Sequence, residues 1–143
     1  MNLMLPIFAL WIVTPAPPVV DYKKLLAAIA QVESADATHP EGNDAAVGSH
    51  GERGRYQIGR HLWESISTKP FTFAHDQQCA FLVAKRHLEW AERKIRRAGT
   101  LKAPMAFLLA LEWHSGMHAV FQSTLNHEQM SFATRVLNLY ESN

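Results

Sequence analysis

The sequence predicts a single, mainly α domain, and three observations carry that prediction. Apolar residues recur at helical spacing along most of the chain, glycine-rich polar sequence is confined to one interval, and 143 residues suffice for one core but not for two ordinary domains. A composition of 48% hydrophobic and 19% charged residues argues against general disorder. The formal charge of +1 is too mild to indicate a nucleic-acid partner. The lone cysteine, Cys79, excludes an intrachain disulfide and reads as a small buried hydrophobe.

Residues 1–20, MNLMLPIFALWIVTPAPPVV, contain no charged side chain and four of the seven prolines. Leu3 to Val13 has the length of a signal-peptide apolar run and is shorter than the roughly 20 residues of a membrane-spanning helix. The expectation is a signal peptide or hydrophobic leader over 1–20, with an exported location, periplasmic or extracellular, or a tether to the membrane. Residues 21–143 are then the folded domain. DYKKLLAAIAQVES from Asp21 predicts a helix with its apolar stripe at Tyr22, Leu25, Leu26, Ile29 and Val32. Between Thr38 and Arg60, glycines 42, 48, 51, 54 and 59 predict a loop or small β-hairpin. A short helix is expected over His61 to Ser67 and a long one over Asp76 to Ala98, stopped by Gly99. Arg93, Lys94, Arg96 and Arg97 sit in its last turns, where they complement the macrodipole. Pro104 opens a nearly all-apolar helix, APMAFLLALEWH, expected to be central, and a last helix is expected near Gln129 to Tyr140.

Glu33 breaks the apolar pattern of the first helix. It lies four residues after Ile29 and seven after Leu26, on the stripe that faces the core. Burial and the negative end of the helix dipole both penalise its charge and raise its pKa, as a general acid requires. Spacing alone leaves a second arrangement open, with Glu33 turned to solvent or paired with an arginine of the glycine-rich loop. In SHGERGRYQIG the glycines allow backbone to approach a ligand, and Tyr56 and Gln57 offer stacking and hydrogen bonding to sugars; plain turns explain the same residues.

The order of these motifs resembles the lytic transglycosylase (SLT-domain) and goose-type lysozyme-like family, which cuts peptidoglycan glycan strands. VES at 32–34 looks like the Glu-Ser motif that carries the family's catalytic acid. GRYQI at 54–58 is similar to its Gly-x-x-Gln-hydrophobic motif, ALEWHSGMHAV at 110–120 to its Ala-Leu-Ala-x-Tyr-Asn-Ala-Gly segment, and FATRVLNLY at 132–140 to its closing helix. The resemblance implies a lysozyme-like fold over 21–143. It also implies cleavage of the MurNAc-GlcNAc β-1,4 bond with Glu33 as acid and then base, and a substrate site including Ser34, Tyr56, Gln57, Trp113 and His114. No cofactor and no metal is implied. The implied partners are peptidoglycan strands and cell-envelope or secretion-apparatus proteins, with a monomeric chain and no nucleic acid. Two departures stand out: Trp113-His114 replaces Tyr-Asn, and Phe132 replaces a tyrosine that hydrogen-bonds near the acid, a loss for which Tyr140 is the candidate substitute.

A retaining hydrolase needs a nucleophile about 5 Å from the acid and an inverting one a base for water. Asp44 and Glu52 are the candidates for that second carboxylate. A transglycosylase, as the resemblance implies, needs neither, because the sugar's N-acetyl group assists departure and its 6-hydroxyl closes the 1,6-anhydro ring. The alternatives are a hydrolytic muramidase and a weak or inactive glycan-binding module. His114 and His118 have the i,i+4 spacing of metal ligands, but Gly116 between them and the lack of an HExxH pattern argue against a zinc site.

Overall fold

Asp21 starts the first helix by accepting the backbone N–H of Lys24 at 3.1 Å, and α1 runs Tyr22–Ser34. The structure is a computed structural model that describes residues 18–99 and 101–142, so the expected leader lies outside it up to residue 17. After a loop come α2 (Arg60–Ile66), a 3₁₀ turn over Phe71–His75, and α3 (Gln77–Arg97). The remaining helices are α4 (Met105–Ser115), α5 (Met117–Val120) and α6 (His127–Ser142). The architecture is mainly α, with no strand among the described residues. No helix among them is long and apolar enough to cross a membrane.

The sequence pattern locates the long helices to within two residues at most boundaries. Asp76 caps α3 by accepting the Cys79 N–H at 2.8 Å, and Ala98 closes it. Pro104 stands one position before α4, at its N-cap. The 3₁₀ turn and α5 have no counterpart in the sequence reading, because pieces of four or five residues are too short to show a period. Cys79 is half-buried and accepts from Lys69 Nζ at 3.1 Å, a wetter place than the expected core position.

The core is built around α4. Met105, Ala106, Leu108, Leu109, Ala110 and Leu111 are all buried, so this helix is enclosed on most sides and packs most extensively on α6. α1 lies antiparallel to α6: Tyr140 Oη near the end of α6 accepts the backbone N–H of Asp21, while Lys24 lies over its ring. The other end of that pair therefore brings the C-terminal turn of α1, with Glu33, toward the start of α6. On the remaining side α3 packs along α1, where Tyr22 donates to Glu92 and Glu92 also holds Arg96 at 2.7 Å. Trp63 of α2 is fully buried and donates its indole N–H to the Lys69 carbonyl at 2.7 Å.

The glycine-rich interval is a small hairpin-like loop held by two isolated antiparallel bridges, Val47 with Arg53 and Arg53 with Ile58. Arg53 and Ile58 exchange both backbone hydrogen bonds at 3.0 Å, and Gly48 donates to Glu52 at 2.8 Å. Gly54 has φ +74, and a Cβ there would meet the Ala74 carbonyl oxygen at 2.1 Å. Only glycine lets this loop lie against the 3₁₀ turn.

Candidate functional site

Three segments converge on the end of α1: the helix itself, the 47–58 hairpin, and the C-terminal turn of α4. Glu33 is half-buried on α1. Loss of solvent is the main cause that lifts its pKa to about 7, the negative charge of Glu52 adds to it, and the indole N–H of Trp113, acting as a donor, works in the opposite direction. The arrangement in which an arginine neutralises Glu33 does not occur with Arg55. That guanidinium grips Asp44 with two bonds, at 2.6 and 2.7 Å.

The same bonds remove Asp44 from consideration as a second catalytic carboxylate. Both its oxygens are held by Arg55, and its carbonyl accepts from His75 Nδ1 at 2.7 Å, so it fastens the loop to the 3₁₀ turn. Glu52 is the carboxylate within electrostatic reach of Glu33. A Cβ on Gly48 would fall 2.3 Å from Glu52 Oε2 and 2.5 Å from Gln57 Oε1, so these two acceptors converge over a backbone that must be bare. Gln57 has a left-handed backbone, φ +50, a conformation costing a non-glycine residue about 1–3 kcal/mol. Its backbone N–H and its side-chain Nε2 both donate to the Gly54 carbonyl, at 3.0 and 2.9 Å, which fixes the amide and leaves Oε1 on the Gly48 side.

The other expected site residues divide sharply. Ser34 is beside Glu33, and its hydroxyl donates to the Arg55 carbonyl at 2.8 Å and accepts the Asn43 N–H at 2.9 Å. These two bonds tie the loop to the end of α1. Tyr56 is 4% exposed and packed in the core, so the expected stacking on sugar is corrected: its ring face is spent on burial. Trp113 is half-buried and reaches Glu33. His114 stacks on Phe132 at 4.4 Å between centroids and faces Glu128 at 3.6 Å, which places it next to the site with one ring face covered. Tyr140 cannot replace the tyrosine missing at Phe132. It lies at the opposite end of α1, twelve residues or about 18 Å of helix from Glu33, and the donor acting on Glu33 is Trp113.

A pair that the sequence reading missed stands behind Trp113. Glu112, 4% exposed, meets His87 Nε2 with both carboxylate oxygens, at 3.0 and 2.9 Å. The His87 ring lies edge-on to Trp113 at 5.7 Å and stacks on Trp90 at 5.5 Å. An acid inside the apolar run APMAFLLALEWH was the available signal, since a buried charge demands a partner. The partner is 25 residues away, and spacing does not reveal it.

Gly116, φ +77, ends α4 and starts α5, so His114 and His118 sit on different helices and the i,i+4 ligand geometry is not formed. The described residues contain no group of three or more His, Cys, Asp or Glu placed to hold a metal ion. A depression of about 640 Å³ lies on another side: Arg53 and Arg60 both lie over the Phe71 ring there, whereas the neighbouring Glu52 turns toward Gly48. Comparison with protein-family models, with curated proteins and with solved structures returned no match.

Proposed function

We propose that this chain is a peptidoglycan-cleaving enzyme with a lysozyme-like arrangement, a lytic transglycosylase in which Glu33 is general acid and then base. The observation that carries the reading is the carboxyl of Glu33, half-buried at the junction of helix and hairpin with a pKa raised to about 7. Near neutral pH a large fraction of such groups holds a proton, and it is delivered to the glycosidic oxygen as the bond breaks. The resulting carboxylate then takes the proton of the sugar 6-hydroxyl as that oxygen closes the 1,6-anhydro ring. Trp113 donates to the charged form of Glu33, so it steadies the acid after proton transfer. The converging acceptors of Glu52 and Gln57 suit the hydroxyl and amide donors of an N-acetylated glycan.

Glu52 keeps a hydrolytic muramidase as the second reading, because it is a carboxylate within electrostatic reach of the acid. Export to the cell envelope goes with either. Mass spectrometry of products released from purified peptidoglycan separates them: anhydro-muropeptides are expected, whereas reducing ends identify hydrolysis. Glu33→Gln is expected to lower release at least a thousandfold while circular dichroism stays unchanged. A Glu33→Gln variant that retained full activity, or an unaltered protein that released nothing, would overturn the proposal.

A further inference from the structure

Arg53 is half-buried on the hairpin, and its guanidinium lies 4.8 Å from the centroid of the Phe71 ring. Arg60, the first residue of α2, lies 5.0 Å from the same centroid. Two like charges are thus no farther apart than those distances laid end to end, which is comparable to the screening length of about 8 Å at physiological salt. They repel. The Phe71 ring accounts for where the two groups sit, but it supplies no oxygen acceptor for their N–H donors. Among the described residues no carboxylate or carbonyl accepts from the Arg53 side chain. Arg60 gives one N–H to Glu64 at 3.3 Å, a bond between two exposed side chains. Both arginines line the depression of about 640 Å³, whose only carboxylate is that of Glu64 and which also carries the exposed hydroxyls of Thr68 and Thr72. Lys69 adds a third positive charge to the lining, although its ammonium is already given to Cys79 Sγ at 3.1 Å.

We infer that this depression is a binding site for an organic anion, held through a carboxylate or phosphate group by Arg53 and Arg60. The guanidinium fork matches two oxygens of either group, and an anion bonded to both arginines relieves the repulsion between them. Size is the second argument. A bare ion fills a small part of 640 Å³, whereas that volume is ordinary for a pocket holding a small organic molecule, whose polar part the threonine hydroxyls can meet. Arg53 faces the depression while its neighbour Glu52 turns toward Gly48, so the site lies apart from Glu33 and holds whether or not the chain cleaves glycan.

The test follows arginine side-chain Nε–H signals by NMR in isotope-labelled protein while N-acetylglutamate, glycerol phosphate or inorganic phosphate is added at constant ionic strength. Arg55, whose Nε–H is bound to Asp44 at 2.6 Å, serves as internal reference. The Arg53 signal is expected to move and saturate with at least one organic anion while Arg55 stays still, and the anion that binds more tightly tells carboxylate from phosphate. Arg53→Gln and Arg60→Gln are each expected to weaken that anion about 10-fold, and Glu64→Gln, which removes the competing carboxylate, to tighten it about 2- to 5-fold. Arg60→Gln alters an exposed side chain, so it keeps the test decisive even where Arg53→Gln fails to fold. Movement of Arg53 and Arg55 together without saturation overturns the site, as does unchanged affinity in Arg60→Gln. Inorganic phosphate binding as tightly as the organic anions also overturns it, since that leaves a place for an ion and none for a larger ligand.

Discussion

Glu33 illustrates how one carboxyl answers to opposed forces. Burial removes water and favours the neutral acid, Glu52 repels the charge, and Trp113 offsets part of both by donating to it. Its folded pKa of about 7 stands above the ordinary glutamate value of 4.5. The folded state therefore binds more protons between those values, and stability declines as pH rises through that window, then levels off above it. Glu33→Gln removes the penalised charge. It is expected to be more stable than the unaltered protein at pH 8 by on the order of 2 kcal/mol, with the difference vanishing near pH 4, as urea denaturation at the two pH values will show. At this scale the sequence was informative about the acid, because an ionisable residue on an apolar stripe is visible by spacing. It was silent on Trp113 as donor and on His87 with Glu112, which are brought together from separate helices. Tyr56 misled because loop position and aromatic character say nothing about which way a ring turns.

The element that decides the site is the 47–58 hairpin. Its glycine enrichment was plain from the sequence, yet the glycines are unequal in ways that only packing reveals. At Gly54 a methyl group collides with the Ala74 carbonyl, whereas at Gly51, φ +84, nothing lies within 4 Å. Gly54→Ala is expected to cost about 2–4 kcal/mol and Gly51→Ala about 1 kcal/mol, the latter from backbone strain alone. Thermal unfolding of the two variants side by side checks the contrast. The strained Gln57 was equally hidden, since a glutamine carries no local sign of a left-handed backbone; the tie of its side chain and backbone to one carbonyl supplies the reason it persists.

For the whole molecule, the near-continuous apolar character of 104–114 marked the central helix correctly, because a helix without a polar face has nowhere else to go. The antiparallel α1–α6 pairing was not legible, as no local pattern encodes which helix meets which. Leu109 is fully buried on α4. Leu109→Ala is expected to destabilise the domain by about 2–5 kcal/mol and to lower Tm by roughly 10 °C, measured by differential scanning calorimetry. Circular dichroism at low temperature should remain helical.

Ser34 ties the hairpin to the residue beside the acid through two hydrogen bonds, at Asn43 and Arg55. That loop swings away from α1 only by breaking both bonds, at about 1 kcal/mol each. The loop between them is thus moored at both ends to the last turn of α1, a fixed wall and not a moving lid.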